Sequence, residues 1–333
     1  MRCVALLSGG LDSKLAIRLM QEQGIEVEAL NFKTLFTCCQ DQSAQAAAEL
    51  GVRLTIVGQD DDYLELVANP QFGYGRGANP CIDCRIYMFR KALRFMAEVD
   101  AHFVVSGEVV GQRPKSQKRR DLDLISRHSE LDDLLLRPLS ARRLPPTRPE
   151  REGWVDRNRL YDFYGRSRKG LIALAQELGM RDIPSPSTGC ALTEVPFSRK
   201  VHDLIQLDTP PRRWDFELLK IGRHYRLDNH SKVIVGRRAD DNQQLEYMFE
   251  RSDASPCALV GPEQFVGPMA LVVGACDDSS LDFAGGLILR HAKDLPADRP
   301  RVWVRSGSER HLRTATVDPR AAAARNLAVH GIA

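Results

Sequence analysis

Ser8-Gly9-Gly10-Leu11-Asp12-Ser13 stands between a short apolar run and an apolar pattern at helical spacing. Two adjacent glycines let the backbone turn tightly and present N–H groups to an anion. The following helix N-terminus adds its positive dipole end, and the Ser8 and Ser13 hydroxyls can donate further bonds. Asp12 repels a phosphate unless a cation intervenes, which assigns it to Mg²⁺. The string contains no Gly-Lys-Ser/Thr, so it is not a Walker A loop, and it is not a Gly-x-Gly-x-x-Gly dinucleotide loop. Gly-Gly alone would be met by an ordinary turn into a Ser/Asp-capped helix.

The second chemical group is sulfur. Eight cysteines in 333 residues are too few for a disulfide scaffold. With no export signal expected they stay reduced, as packing residues, metal ligands or reactive thiols. Cys81 and Cys84 lie in Asn79-Pro80-Cys81-Ile82-Asp83-Cys84-Arg85 at a helix start, where the dipole favours thiolate. Cys190 ends Ser187-Thr188-Gly189-Cys190, in a turn after Pro184 and Pro186. A lone CxxC is half a zinc site without an obvious fourth ligand. Cys38 and Cys39 follow the second strand and read as packing residues, as do Cys3, Cys257 and Cys276.

The elements that must position these groups alternate strand and helix. Cys3 to Leu7, Val27 to Phe32, Arg53 to Val57 and His102 to Val105 read as strands. Between them, Leu15, Ala16, Leu19 and Met20, then Asp41 to Leu50, then Ile82, Ile86, Phe89, Leu93 and Met96 read as helices. Residues 69–80, rich in Gly, Pro and Asn, form a loop. The rhythm predicts an α/β fold, a doubly wound parallel sheet with ligands at the carboxyl ends of its strands. Residues 107–170 read as a polar, Pro-punctuated excursion, followed by a helix from Arg168 to Leu178. From Ile221 the texture changes to short β-rich runs, including Lys232 to Val235, Ala270 to Val273 and Arg301 to Val304, and an Ala-rich tail from Pro319 reads as a helix. This predicts a second, smaller α+β domain.

Charge and hydropathy narrow the partners. The net charge is +3, but Arg113 to Lys169 holds 16 Lys or Arg against 9 Asp or Glu. Such a zone favours a polyanion, although a solvated charged surface has the same composition. Apolar runs such as Met269 to Val273 are too short to span a bilayer, and Met1 to Leu7 lacks the length of a secretory signal. The expectation is a cytoplasmic protein with no membrane partner. Oligomeric state leaves no mark in the sequence.

The complete SGGLDS string at a strand-to-helix junction resembles the PP-loop of the N-type ATP pyrophosphatases. The resemblance implies ATP cleavage between the α and β phosphates, adenylation of a substrate oxygen and release of pyrophosphate, with Ser8, Gly9, Gly10, Asp12 and Ser13 at the nucleotide. Asn-Pro-Cys-x-x-Cys followed by Ser-Thr-Gly-Cys resembles the bacterial tRNA 2-thiouridylases, which implies catalytic roles for Cys81 and Cys190 beside Asp12. Gly189 abuts Cys190 where that pattern inserts an apolar residue. Ser106-Gly107-Glu108, Gly111-Gln112, Ser116-Gln117 and Arg137-Pro138-Leu139 resemble the 4-thiouridine synthase family, which adds Gly107 and Gln112 to the nucleotide site. Lys232-Val233-Ile234-Val235-Gly236-Arg237, with Asn242 and Leu245, resembles the NFACT-R class of RNA-associated domains. Its arginines, Arg237, Arg238, Arg301 and Arg305, are then phosphate contacts, against the alternative of a strand edge guarded by charge.

Together these imply a PP-loop domain over 1–195, a connector over 196–220 and an NFACT-R-like domain over 221–333. The implied reaction is ATP-dependent thiolation of a tRNA uridine, with sulfur from a cysteine desulfurase or sulfide. The alternative is a PP-loop enzyme adenylating a small molecule. Arg113, Lys115, Lys118, Arg119 and Arg120 are expected to contact the tRNA backbone. Two sulfur chemistries suit three cysteines. In one, Cys190 carries a persulfide that Cys81 resolves as a disulfide. In the other, Cys81, Cys84 and Cys190 hold three irons of a [4Fe–4S] cluster whose fourth iron binds sulfide. The persulfide scheme leaves Cys84 without a role, which favours the cluster.

Overall fold

The computed structural model describes residues 1–37, 42–180, 182–185, 189–207, 209–295 and 299–330. Cys38, Cys39, Asp41, Pro186, Ser187 and Thr188 fall outside them, so the expectations placed there lie outside the described residues. The chain divides into two compact units, residues 1–75 with 79–190, and residues 76–78 with 191–333.

The first unit runs β1 (Arg2–Leu6), α1 (Leu11–Gln21), β2 (Glu26–Lys33), α2 (Gln42–Leu50), β3 (Arg53–Gly58), α3 (Asp61–Ala68), α4 (Cys81–Glu98), β4 (Phe103–Val105), α5 (Arg119–His128), β5 (Leu135–Leu136), α6 (Arg148–Arg151) and α7 (Lys169–Glu177). Its strands form a sheet in the order β3-β2-β1-β4-β5, and every pairing is parallel. A parallel sheet is covered on both faces, so its central strand is apolar at successive positions, Cys3 to Leu6, rather than at every second one. Side chains of β1 alternate accordingly. Cys3 and Ala5 pack with Leu15 of α1, Ala46 of α2 and Leu171 of α7. Val4 packs on the other face with Ile86 and Phe89 of α4 and Ile125 of α5. Chain order reverses between β1 and β4, and the crevice beyond their carboxyl ends is where such sheets bind ligands.

Helices α3 and α5 are not evident from the sequence pattern. Residues 107–170 are also less of an excursion than their composition suggests, since β5 returns to pair with β4. Several basic residues of this stretch are paired within it. Arg137 is buried against Glu108, Arg151 pairs with Asp133 at 2.6 Å, and Arg157 pairs with Glu150.

The second unit opens with α8 (Val195–Ile205) and α9 (Arg213–Leu218), so residues 196–220 are largely helical and belong to it. It continues with β6 (Arg223–Arg226), β7 (Ser231–Val235), α10 (Ala239–Glu250), β8 (Cys257–Pro262), β9 (Ala270–Gly274), α11 (Asp278–His291), β10 (Arg301–Ser306), β11 (Glu309–Thr314), α12 (Pro319–Ala323) and α13 (Leu327–His330). The six strands form an antiparallel sheet in the order β11-β10-β8-β9-β7-β6. Val233 and Val235 face α11 through Ala284 and Leu287, while Ile234 between them faces Leu245 and Met248 of α10. The predicted α/β-plus-α+β architecture is therefore present. Among the described residues, no helix is long and apolar enough to cross a membrane.

Candidate active site

The carboxyl ends of β1 and β4 open onto a cavity of about 290 Å³ in the first unit. Gly9 has φ +79°, and a Cβ there would come within 2.7 Å of Gln42, so the turn into α1 needs glycine. Gly10 is the extended N-cap of α1, and no side chain caps it. The Ser13 hydroxyl donates to the Gly10 carbonyl at 2.8 Å, accepts the Ser8 N–H at 3.3 Å, and lies 3.3 Å from the Ser8 hydroxyl. These bonds shape the loop, so its anion-binding capacity rests chiefly on the first N–H groups of α1.

Gly107, just beyond β4, passes against the start of α1. A Cβ on it would come 2.5 Å from the Asp12 carbonyl carbon and oxygen and 2.7 Å from the Ser13 nitrogen. Gly107→Ala must push the two segments apart. The expected cost is about 1–3 kcal/mol, as for other overpacked sites. Denaturant unfolding measures this, and nucleotide titration should show weakened binding. Unchanged unfolding would mean that the loop yields freely.

Asp12 accepts a hydrogen bond from the Gln112 side chain and has Arg168 and Arg113 within electrostatic reach. Burial pushes its carboxyl above the usual 3.8, against the pull of these neighbours. Two residues assigned to the nucleotide site from separate motifs thus touch. Glu108 is buried, with Oε2 taking a 2.9 Å bond from Arg137 Nε and Oε1 lying 3.5 Å from Arg85 Nε. Arg137 also donates to the Ser126 hydroxyl at 3.1 Å, which locks it under the cavity floor. Among the described residues, Glu108 Oε1 and Gln117 Oε1 are buried acceptors without a hydrogen bond, and both side chains line the cavity.

Cys81, Cys84 and Cys190 line the same cavity. Cys81 and Cys84 come from the first turn of α4, and Cys190 is brought in by an antiparallel bridge with Thr37 beyond β2. The Cys84 thiol lies 3.3 Å from the hydroxyl of Tyr63, a buried α3 residue that has Cys190 within electrostatic reach as well. Burial raises the Cys81 thiol above its usual 9.0, and neighbouring Cys84 adds to this. Arg85, Arg113 and Lys115 pull the other way without reversing it. Burial likewise raises Cys84. Desolvation thus opposes the pull toward thiolate expected of a helix start. Asp83 between them is structural, accepting the Gln71 N–H at 2.9 Å and the Phe72 N–H at 3.2 Å to hold the 69–80 loop.

Residue spacing alone does not reveal Tyr63, Arg85 or the Arg137–Glu108 contact. A signal for Tyr63 exists, since Tyr63, Leu64 and Val67 are the buried face of α3. Among the expected RNA contacts, Lys115 donates to the Tyr74 carbonyl at 3.0 Å, whereas Lys118, Arg119 and Arg120 are exposed at the start of α5. In the second unit, two of the arginines expected to meet phosphate have acidic neighbours. Arg237 is engaged by Asp241 at 2.8 Å, and Arg305 by Glu246 and Glu250 at 3.2 and 3.1 Å. The Gly-Arg…Asn pattern is a clamp, in which the Asn242 side chain accepts the Met269 N–H at 3.1 Å and Gly236 donates to the Met269 carbonyl at 3.0 Å.

Fold and site together define an α/β domain with an anion loop at its switch point and thiols in the same cleft. Residues 1–137 match the family described as the tRNA methyl transferase HUP domain, and residues 222–326 match the NFACT protein RNA binding domain. The chain is 27% identical over 154 residues to the tRNA-specific 2-thiouridylase MnmA of Pelobacter propionicus, covering 43% of each chain. It is 30% identical over 105 residues to MnmA 1 of Fusobacterium nucleatum, covering 30% of this chain and 29% of that one. The chain thus spans less than half the length of these relatives. A solved complex of a 4-thiouridine synthetase with RNA and bound ATP covers 55% of this chain and 42% of its own, at 22% identity and a TM-score of 0.39. The similarity to tRNA 2-thiouridylases read from the motifs is thus found again over part of the chain.

Proposed function

We propose that the protein is a cytoplasmic, ATP-dependent tRNA uridine thiolase. The observation that carries this reading is the meeting, in one cavity, of the Ser8–Ser13 loop, Asp12 held by Gln112, and Cys81 with Cys190. ATP lies with its phosphates over the start of α1. Asp12 would hold Mg²⁺, which neutralises phosphate charge, and a single carboxylate with phosphate oxygens and waters suits that ion. The uridine carbonyl oxygen attacks the α-phosphorus, the bond to the β-phosphate oxygen breaks, and pyrophosphate leaves. Cys190 receives a sulfane sulfur by transfer from the persulfide of a cysteine desulfurase, whose cysteine leaves as a thiol. The terminal sulfur of this Cys190 persulfide then attacks the activated carbon and expels AMP. The Cys81 thiol, losing its proton, attacks Cys190 Sγ. This releases the thiolated base and leaves a Cys81–Cys190 disulfide, which an external dithiol reduces. Exposed Lys118, Arg119 and Arg120 contact the RNA backbone, and an extruded base reaches the cavity.

The cluster variant of this chemistry requires Cys81, Cys84 and Cys190 to converge on one metal group. Among the described residues, no three His, Cys, Asp or Glu side chains are placed to hold a metal, and Cys84 is engaged by Tyr63. The residues do not fit the group as arranged, so no step is written through it. Iron analysis of protein purified without oxygen tests this directly. About four irons per chain, lost with each single cysteine, would restore the cluster.

Thiolation itself is tested by incubating the full chain with unmodified tRNA, ATP, Mg²⁺, a cysteine desulfurase with free cysteine as the persulfide source and a dithiol, then analysing nucleosides by mass spectrometry. A thiouridine and tRNA-dependent pyrophosphate are expected, with both lost in Asp12→Ala. Pyrophosphate released equally without tRNA would overturn the RNA reading in favour of a small-molecule substrate.

A further inference from the structure

A nucleoside triphosphate is strongly anionic, yet the Ser8–Ser13 loop brings no cation to it. Lys14, the next residue along the chain, is buried, with Nζ 2.5 Å from Glu49 Oε2 and 3.1 Å from the Asp182 carbonyl. It serves to fasten α1 to α2. Among the described residues lining the cavity, Arg85 and Arg113 are the only Lys or Arg side chains. Arg85 belongs to the first turn of α4, and Arg113 follows Gln112 in the segment after β4.

The two guanidinium groups lie within repulsive reach of each other. Asp12 and Glu108 lie near them and offset this repulsion only in part. Asp12 takes the Gln112 hydrogen bond, and Glu108 gives Oε2 to Arg137, with Oε1 3.5 Å from Arg85 and outside hydrogen-bonding geometry. Two like charges at one cavity, beside a helix N-terminus, are relieved by an anion that takes both forks.

We propose that Arg85 and Arg113 bind the β- and γ-phosphates of the nucleotide and take up the charge of pyrophosphate as it leaves. This rests on the adenylation reading above. When the α-phosphorus is attacked, the electron pair of the breaking bond moves onto the β-phosphate oxygen, and fixed guanidinium donors stabilise that charge without reorganising. A phosphodiester of the RNA offers the same oxyanion chemistry, so the test must separate the two sources.

The full chain with Mg²⁺ is titrated with AMP, ATP and inorganic pyrophosphate, and separately with tRNA. Arg85→Gln and Arg113→Gln should each weaken pyrophosphate binding about 10–100-fold, the loss typical of a charge-assisted hydrogen bond. Each should slow pyrophosphate release about 100-fold and leave AMP affinity unchanged, which certifies the fold. The Lys substitutions should recover part of the ATP affinity, since they keep charge but lose the planar fork. Unchanged pyrophosphate and ATP binding in the double Gln variant overturns the proposal, and a selective loss of tRNA affinity there assigns the pair to the RNA backbone. A parent protein that binds pyrophosphate through these arginines, yet releases none from ATP with tRNA, overturns the thiolation reading while leaving the subsite intact.

Discussion

Cys190→Ser is expected to abolish tRNA thiolation while sparing the first half-reaction. The variant should adenylate the bound uridine, release one round of pyrophosphate and then stall, because the persulfide-bearing sulfur is absent. Cys190 lines the cavity with the phosphate loop but is held through a bridge to Thr37 rather than through α1. Its loss therefore leaves nucleotide contacts in place. Cys81→Ser should also end product formation, through failure to release sulfur from Cys190. Cys84→Ala is the discriminating variant. Its thiol faces the Tyr63 hydroxyl at 3.3 Å, and the persulfide sequence gives it no covalent step, so thiolation should persist. Single-turnover pyrophosphate release with nucleoside mass spectrometry reads all three. Thiolation lost in Cys84→Ala together with bound iron in the parent would replace the persulfide sequence by the cluster.

Much of the site is legible in the sequence because parallel α/β sheets tie function to position. Once Cys3 to Leu7 reads as a buried strand and Leu15 to Met20 as a helix, the glycine turn between them has to lie at a strand's carboxyl end. What stays hidden depends on partners that a linear pattern does not display. Arg237 reads as a phosphate contact, yet Asp241, four residues on, engages it at 2.8 Å. Lys115 sits within a basic cluster, and its ammonium is spent on the Tyr74 carbonyl. The thiol acidity of Cys81 is hidden for a related reason. The helix start is visible in the sequence, whereas the burial that opposes it comes in part from the 69–80 loop, where a Cβ added to Gly75 would lie 3.3 Å from the sulfur. Tyr63 escapes notice because an aromatic at helical spacing is indistinguishable from core until its hydroxyl is seen against a thiol.

Asp203→Asn should destabilise the second unit by about 3–5 kcal/mol, the cost of stranding buried cations. Asp203 of α8 is buried, taking a two-pronged bond from Arg226 at 2.9 and 2.7 Å and a third from Lys232 Nζ at 2.8 Å. Lys232 is itself buried, and so is Lys200, which donates to the Leu219 carbonyl and whose amine burial lowers to about 8. Replacing Asp203, Arg226 and Lys232 together by Leu, Met and Met should recover much of the loss, as expected when every member of a buried charge cluster is removed. The pH dependence has a defined sign. Burial raises the Asp203 carboxyl, but the Arg226 fork and Lys232 outweigh it and hold the group below its usual 3.8. Its contribution is present above that value and fades as pH falls below it. His224 acts earlier. Burial, then Lys232 and Lys200, keep its ring neutral in the folded unit, with Nδ1 buried and without a hydrogen bond. The unfolded chain takes up a proton near 6.5, so stability should begin to fall as pH drops through that value. Urea unfolding of the full chain at pH 7.5, 5.5 and 3.5, followed by hydrogen exchange in β6 and β7, measures both steps. A His224→Asn variant should lose the upper step only, and flat stability from pH 7.5 to 5.5 in the parent would remove His224 from the account.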